Sequence, residues 1–466
     1  MTLSTLPGTI GDLRASNYQV LPVRQELRKN LIAKIRSEEI VFPGIIGFEH
    51  TVIPQLENAI LAGQDIILLG ERGQAKSRLI RSMVTLLDEF IPKIADCEIN
   101  DDPYAPICRV CRNKVAEQGD VTQIQWIGRD ERYSEKLATP DISIADLIGE
   151  IDPIKVAEGH YLSDELVIHY GLVPRTNRGI FCINELPDLA ERIQVGLFNL
   201  MEERDVQIKG YRIRLPLDVY VVSTANPEDY TNRGRIVTPL KDRYGSQIHT
   251  HYPKTIEEEI AIMDQERTRF PDEDSMVIPY YMKEILAEIT SQARESSEIN
   301  QRSGVSCRVS ISNFETLLGN ALRRSIIHGE QYVCPRTSDL PYIMASFSGK
   351  IELETFEEGR ESRVTDDLTR RGVLRVFGGV FEADELERIV TAFDMGNTAE
   401  TSSEKPASEY LAMLAQVDGL ADAVKKVTTD ERPEVVASAV EFILEGLHLN
   451  RRLNCERTSA GYLYRR

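Results

Sequence analysis

DIILLGERGQAKSRLI, which runs from Asp65 to Ile80, is the stretch of the sequence that decides the fold. Its apolar first half predicts a buried β-strand, and the spacing of its last residues predicts an amphipathic helix. Between them lies GERGQAKS at Gly70–Ser77. Glycines let backbone N–H groups wrap a phosphate, and the N-terminus of the following helix adds positive potential. Strand, loop, Lys-Ser pair and helix in this order predict a phosphate-binding loop (P-loop).

The P-loop is expected to bind ATP together with Mg²⁺. Lys76 should reach the β- and γ-phosphates, and Ser77 should coordinate the metal. Ala75 departs from the motif, because glycine is expected directly before the lysine. If this position requires a positive φ, alanine costs on the order of 1 kcal/mol, whereas at a negative φ the cost is small. The predicted nucleotide contacts are Gly70, Glu71, Arg72, Gly73, Gln74, Ala75, Lys76 and Ser77.

A second apolar segment, RGIFCINELPDL at Arg178–Leu189, ends in a polar pair. In ATP-hydrolysing proteins such a strand carries two acidic residues: the first supports Mg²⁺ through water, and the second polarises the attacking water. Glu185 stands in the second position and is the predicted catalytic carboxylate. Asn184 stands in the first, where its amide oxygen can accept a hydrogen bond from a magnesium-bound water but brings no negative charge.

Three further polar residues are candidates for catalysis. Asn226 ends the predicted strand in YVVSTANPEDY and could orient the attacking water, or simply form an Asn-Pro turn. Arg243 in LKDRYG could act in trans on a neighbouring subunit's nucleotide, or form a surface ion pair. Arg308, in VSCRVSIS, is a candidate sensor of the γ-phosphate.

Apolar runs alternate with amphipathic stretches up to about residue 254, which predicts an α/β domain with a largely parallel sheet. An alternating pair, Val206–Ile208 and Tyr211–Ile213, predicts a β-hairpin. Helices are predicted to follow. The five predicted buried strands are Asp65–Leu69, Gln123–Trp126, Gly179–Ile183, Val219–Ser223 and Ser246–His251.

Changes in composition along the chain predict where its domains and linkers lie. Residues 396–408 contain no branched aliphatic or aromatic side chain and are predicted to form a flexible linker. The arginine-rich C-terminal tail is predicted to be solvated. The predicted segments are an N-terminal helical extension (1–40), the nucleotide-binding domain (41–254) with a cysteine-containing insertion around 97–120, a helical lid (255–355), a C-terminal helical segment (356–395), the linker (396–408), and a final helical segment with the basic tail (409–466).

The composition disfavours two classes of protein, those that bind nucleic acid and those that span a membrane. Asp plus Glu number 74 against 55 Lys plus Arg, a net charge of -19, which disfavours nucleic acid as a partner. No apolar stretch approaches the roughly 18 residues of a membrane helix, and no secretory signal is visible. We therefore expect a cytoplasmic protein without a membrane span.

Seven cysteines, an odd number, do not predict a disulfide framework. Cys97, Cys108 and Cys111 lie close in sequence, and CRVC has the spacing of two tetrahedral zinc ligands. A structural zinc would need a fourth ligand, for which His160 and His169 are the nearest histidines. Because there is only one CxxC pair, ordinary reduced cysteines remain the alternative.

These motifs, in this order, resemble those of the AAA+ ATPases, and more narrowly those of the ATPase (I) subunit of magnesium chelatase and its MoxR-type relatives. The resemblance runs from FPGIIGFEHTV at Phe42–Val52 to the helix of Arg308, a little over half the chain. It implies that Ile45 and Ile46 lie on the adenine side of the nucleotide. It also implies the roles of sensor 1 for Asn226, arginine finger for Arg243 and sensor 2 for Arg308.

The resemblance further implies a hexameric ring with nucleotide between subunits, acting on a protein partner that carries an integrin-like metal-binding domain. ATP hydrolysis would then drive remodelling of that partner, or its metal-insertion activity. Two alternatives stay open. The departures at Ala75 and Asn184 suit a nucleotide-binding scaffold with weak or no hydrolysis. An AAA+ transcription regulator is the other, although its GAFTGA loop is absent between Ser77 and Asn184.

Overall fold

A computed structural model describes residues 6–152, 154, 157, 165–207, 214–226, 235–271, 273–301, 303–354, 359–382, 385–458 and 461–466. The chain divides into two compact units, Met1–His251 and Tyr252–Arg466. Among the described residues, no helix combines the length and the apolar composition of a membrane span.

A parallel sheet organises the N-terminal unit. Its central strands are buried on both faces, because their side chains alternate between two separate apolar cores. The strands described in this unit are β1 (Ile66–Leu69), β2 (Phe90–Ile94), β3 (Ile124–Gly128), β4 (Tyr133–Leu137), β5 (Gly149–Ile151), β6 (Ile168–Tyr170), β7 (Gly179–Asn184), β8 (Asp205–Gln207), β9 (Arg214–Pro216), β10 (Val219–Ala225) and β11 (Ser246–His249). Strands β11, β1, β10, β7 and β4 lie side by side in that order, all parallel. The residues that follow β1, β7 and β10 therefore meet at one edge of the sheet.

Helices cover both faces of this sheet. One core joins Ile66 and Leu68 of β1 to helices at Val23–Arg36, Val52–Leu61 and Lys76–Ser82, and the other joins Ile67 and Leu69 to helices that include Phe198–Glu202 and Thr238–Arg243. The helices described in this unit are α1 (Ile10–Ala15), α2 (Val23–Arg36), α3 (Val52–Leu61), α4 (Lys76–Ser82), α5 (Arg109–Gln118), α6 (Ile144–Leu147), α7 (Leu172–Arg175), α8 (Glu191–Gly196), α9 (Phe198–Glu202) and α10 (Thr238–Arg243).

One predicted strand lies in a different sheet. The predicted strand Gln123–Trp126 forms as β3, but it pairs antiparallel with β2 in a separate hairpin sheet. Its expected place in the parallel sheet belongs to β4, the run YSEKL. An edge strand has one paired side and is only partly buried, so β4 needs no apolar run, and the prediction missed it for that reason.

The predicted hairpin is present as the antiparallel pair β8 and β9, with Val206 opposite Leu215. The first strand agrees with the prediction. The predicted second strand, Tyr211–Ile213, lies outside the described residues, and the described partner is β9.

The C-terminal unit is mainly helical, as predicted. Its core is centred on α19, where Gly446 allows close approach: a Cβ there would lie 1.9 Å from the ring of Phe377. The helices described in this unit are α11 (Ile256–Glu266), α12 (Tyr280–Glu295), α13 (Arg308–His328), α14 (Met344–Phe347), α15 (Arg360–Val380), α16 (Glu387–Asp394), α17 (Ser408–Gln416), α18 (Leu420–Val427) and α19 (Pro433–Leu449).

The predicted flexible linker is wrong, because part of it forms a strand, whereas the basic tail keeps Arg451, Arg457, Arg465 and Arg466 exposed although it forms two strands. Residues Ala399–Thr401 form strand β12, which pairs with β14 (Tyr462–Arg465), and β14 pairs with β13 (Asn454–Arg457). Tyr464 is buried, and its hydroxyl donates to Glu445 at 2.6 Å. The linker's small side chains suit a strand that packs closely, so the lack of large apolar residues did not indicate flexibility.

A buried ion pair ties α2 to the sheet. Arg132, which directly precedes β4, donates to both carboxylate oxygens of Glu26 at 2.7 and 2.6 Å. The two side chains are 1% and 3% exposed. The guanidinium also donates to the carbonyl of Arg178, just before β7, and Glu26 accepts from the Asp88 N–H at 2.6 Å. Every part of this pair is therefore satisfied by hydrogen bonds, which a buried charge requires.

We predict that Glu26→Ala lowers the free energy of unfolding by about 3–5 kcal/mol, because it leaves the Arg132 guanidinium buried without its counter-charge. Denaturant unfolding of the full chain measures this. Glu39→Ala is the matched control, since its pair with Lys34 is exposed and should contribute under about 1 kcal/mol. Equal effects of the two substitutions would contradict the role given to the buried pair.

Candidate functional site

The P-loop lies between β1 and α4, as predicted, and hydrogen bonds hold its shape. A Cβ on Gly70 would lie 1.9 Å from Thr250 Oγ1 and 2.2 Å from Gln74 Oε1, so only glycine fits there. Gln74 Oε1 accepts from the Glu71 N–H at 3.1 Å and from the Thr250 hydroxyl at 2.7 Å. Thr250 in turn continues β11, where its N–H donates to Leu69 at 2.7 Å. The loop is thus fastened to a strand beside β1.

The residue that departs from the P-loop motif has a left-handed backbone. Ala75 has φ 53° and ψ 15° and immediately precedes α4. Gly73 is also left-handed, with φ 76°. Glycine adopts this conformation freely, whereas alanine pays on the order of 1 kcal/mol for it. Because φ is positive at Ala75, this cost to the free energy of folding applies here.

Lys76 is buried at the end of the loop. Its ammonium donates to the carbonyl oxygens of Gly70 and Glu71, the second at 2.8 Å, and to Asn226 Oδ1 at 2.8 Å. The positive charge is thus held at the edge of the sheet where β1 and β10 end.

Asn226 also contacts the predicted catalytic carboxylate. Its Nδ2 donates to Glu185 Oε2 at 2.5 Å. Glu185 follows β7 directly in a left-handed conformation, φ 54° and ψ 48°, and its N–H donates to Thr224 Oγ1 at 3.0 Å. A non-glycine residue in this region is uncommon and turns the chain sharply after the strand. The structure therefore joins Lys76, Asn226 and Glu185 in one hydrogen-bonded series across three strand ends.

Asn184, the predicted Mg²⁺ contact, lies beside a carboxylate that the sequence analysis did not identify. Its Nδ2 donates to Glu135 of β4, and its Oδ1 accepts from Thr224 Oγ1 at 3.3 Å. Glu135 also accepts from Arg81 of α4 at 2.8 and 2.9 Å and from the Tyr133 hydroxyl at 2.8 Å. The Arg81 guanidinium holds the pKa of Glu135 below its ordinary value, so the carboxylate is ionised at neutral pH. A carboxylate that is paired with Arg81 thus lies next to the position where the motif has lost an acidic residue.

The remaining predicted residues occupy other positions. Ser77 is in the first turn of α4, one residue after Lys76, and Arg72 is exposed in the loop. On the predicted adenine side, Ile45 is buried in the core that includes α3, and Ile46 is partly exposed. Arg308 begins α13 in the C-terminal unit and is exposed.

Arg243 lies at the end of α10 and contacts a different set of residues. It forms an ion pair with Glu202, donates to the Pro239 carbonyl at 2.6 Å, and lies over the ring of Phe198 at 4.8 Å. The ion pair that the sequence offered as an alternative is therefore present, and the role toward a second subunit stays a prediction.

The site and sheet can be compared with known proteins. No family model matches the chain. It is 26% identical over 261 residues to the magnesium-chelatase subunit ChlI of Nostoc sp. strain PCC 7120, covering 53% of this chain and 64% of that protein. It is 25% identical over 230 residues to the magnesium-chelatase subunit ChlI homolog of Methanocaldococcus jannaschii, covering 48% of this chain and 58% of that protein. The chain therefore spans less than two thirds of the length of either relative.

Among solved structures, a complex between subunits BchI and BchD of magnesium chelatase is similar over 70% of this chain and 98% of that chain, with 19% identity and a TM-score of 0.37.

The P-loop after β1, the polar pair Asn184-Glu185 at the end of β7 and the parallel order of the sheet define a P-loop NTPase core, the fold class that the motifs predicted. Within that class, the chain is similar to the ATPase (I) subunits of magnesium chelatase, as the motifs predicted.

We predict that Ala75→Gly raises the free energy of unfolding by roughly 1 kcal/mol, because glycine removes the left-handed strain. Ala33→Gly is the matched control: Ala33 is exposed within α2, so glycine there should destabilise by about 0.5–1 kcal/mol. Denaturant unfolding under identical conditions compares the two. A loss of stability with Ala75→Gly would show that the alanine is not strained.

Proposed function

We propose that this chain is a ring-forming ATPase motor that binds ATP with Mg²⁺ at the P-loop and hydrolyses it with Glu185. The observation that carries the proposal is the hydrogen-bonded series from Lys76 through Asn226 to Glu185. A phosphate-binding cation, a polar sensor and a carboxylate are the groups that phosphoryl transfer to water requires.

Nucleotide binding would use the groups around Lys76. Its ammonium is a mobile point charge, and phosphate oxygens can replace the neutral oxygens that it now contacts. The hydroxyl of Ser77 would coordinate Mg²⁺. Asn184 would accept a hydrogen bond from a metal-bound water, and the neighbouring Glu135, which pairs with Arg81, would place a carboxylate beside the position that lacks one. Bound Mg²⁺ neutralises charge on the transferring phosphoryl group.

Hydrolysis would depend on Glu185 and Asn226. A carboxylate in this position polarises the attacking water and accepts its proton as the bond to phosphorus forms. The Asn226 amide fixes Glu185 through one hydrogen bond and contacts Lys76 through the other. It can therefore couple the state of the γ-phosphate to the position of the carboxylate, which is the role expected of sensor 1.

Arg243 would act on the nucleotide of the next subunit in the ring. The Glu202 side chain that pairs with Arg243 is 58% exposed. Because this ion pair lies at the surface, replacing the carboxylate with a phosphate of the neighbouring nucleotide would cost little free energy. A guanidinium that stabilises transition-state charge in trans is worth roughly 10³-fold or more in related enzymes. By the same resemblance, Arg308 would serve as sensor 2.

The resemblance to magnesium chelatase I subunits and MoxR-type relatives supports a hexamer that acts on a protein partner with an integrin-like metal-binding domain. ATP turnover would remodel that partner or drive its metal insertion. The hydrogen-bonded series from Lys76 through Asn226 to Glu185 favours a working motor over a scaffold without hydrolysis, because the catalytic carboxylate is present and joined to the phosphate-binding cation.

We predict that Lys76→Ala reduces ATP affinity at least tenfold, because it removes the cation that contacts the phosphates. Calorimetric titration with ATP and Mg²⁺ measures this. Lys29→Ala is the control, since Lys29 is half exposed and pairs with Asp88. Unchanged affinity in Lys76→Ala protein that unfolds normally would remove the P-loop assignment.

We predict that Arg243→Ala and Glu185→Gln are each nearly inactive, and that mixing them restores turnover. Sites that join an intact Glu185 to a neighbour's intact Arg243 should reach roughly a quarter of all sites in equal mixtures, if subunits assort randomly.

Glu185→Gln mixed with Lys76→Ala is the matched control and should stay inactive, because Lys76 and Glu185 belong to the same site in one chain. If subunits exchange but the Arg243→Ala mixture stays inactive, Arg243 does not act in trans.

A further inference from the structure

Four buried side chains converge between the end of β2 and the first turn of α5. They are Cys97, Asp101, Cys108 and Cys111, and their ligand atoms all lie within 4.8 Å of one another. Around a tetrahedral ion with bonds of about 2.3 Å, ligand atoms lie roughly 3.8 Å apart. The observed group therefore needs only small side-chain adjustments to close around one ion.

The carboxylate in this group points to a cation independently of the cysteines. Asp101 is fully buried, and its Oδ1 has no hydrogen-bond partner among the described residues. Its Oδ2 accepts from the Cys108 N–H at 3.0 Å. A buried carboxylate oxygen without a partner is costly, and a bound metal ion would satisfy it.

The backbone around the cysteines is arranged to hold thiolates. The Asp101 N–H donates to Cys97 Sγ at 3.3 Å, and the Cys111 N–H donates to Cys108 Sγ at 3.4 Å. Such hydrogen bonds orient metal ligands and stabilise their charge. Two lysines add positive charge nearby: Lys93 donates to the Cys97 carbonyl at 3.0 Å, and Lys114 donates to the Ala95 carbonyl at 3.0 Å.

We propose that Cys97, Asp101, Cys108 and Cys111 form a structural zinc site. Three thiolates and one carboxylate in tetrahedral reach select zinc over the hard cations Mg²⁺ and Ca²⁺, which prefer oxygen ligands. All seven cysteines are free thiols, so no disulfide competes for these three. Four protein ligands close the coordination shell, which is typical of a structural rather than a catalytic zinc.

The fourth ligand differs from the two histidines named from the sequence. His169 is exposed on β6 and does not belong to the group, and His160 lies outside the described residues. Asp101 was missed because an aspartate four residues after a cysteine has no distinctive spacing; only the turn of the chain brings it to the thiols.

The site would fasten the insertion to the core of the nucleotide-binding unit. The three cysteines share an apolar core with Phe181 and Ile183 of β7, the strand that Glu185 directly follows. Asn100 Nδ2, inside the insertion, donates to the Arg175 carbonyl at 3.0 Å. Zinc would therefore stabilise the support behind the catalytic strand without contacting nucleotide.

Metal analysis of the full chain, purified without added metal, tests the proposal. We expect about one zinc per chain. Protein reconstituted with Co²⁺ should show both the thiolate charge-transfer band and the strong visible absorption of a tetrahedral site. A metal content near zero that zinc addition does not raise would overturn the proposal.

Two variants separate ligands from bystanders. Asp101→Ala should weaken zinc affinity by about tenfold or more and alter the Co²⁺ spectrum, whereas Cys455→Ala, at a half-buried cysteine of the C-terminal unit, should retain one zinc. Unchanged affinity and an unchanged Co²⁺ spectrum in Asp101→Ala would overturn the assignment of Asp101.

Discussion

The hydrogen bonds that Asn226 accepts from Lys76 and donates to Glu185 depend on one constraint, the parallel alignment of β1, β10 and β7. Because parallel strands end at the same edge, residues 150 positions apart in sequence meet within hydrogen-bond distance. The central strand of the three carries the amide, which is the side chain able to donate on one side and accept on the other. A shift of register in β10 would separate the cation from the carboxylate.

The rest of the N-terminal unit holds that alignment in place. Asp65, just before β1, is fully buried and accepts from Arg24 of α2, from Arg204 and from the Val221 N–H of β10. The ion pair of Arg132 with Glu26 anchors the other side of the sheet. Charges are thus buried at the edge opposite the site, where they fix strands relative to one another. The proposed zinc site would add a third anchor behind β7.

The sequence predicted those features that depend on local pattern. The P-loop, the strands β1, β7, β10 and β11 and the principal helices of the C-terminal unit each carry their signal within a few residues. Glu135 and Thr224 were missed because they reach the site only through strand pairing. The left-handed backbone of Ala75 could not be predicted, because the residue type alone does not determine the sign of φ. The segment 399–401 was misassigned because small residues suit both a linker and a closely packed strand.

Lys76, Asn226 and Glu185, joined by hydrogen bonds, are proposed to form a working hydrolytic site. Steady-state phosphate release from ATP by the purified full chain tests this most directly, with Mg²⁺ present or omitted. Mg²⁺ should be left out of the buffer rather than removed with a chelator, which would also strip zinc. The account predicts sustained phosphate release that requires Mg²⁺. Tight ATP binding with phosphate release no faster than that of ATP in buffer alone would contradict it.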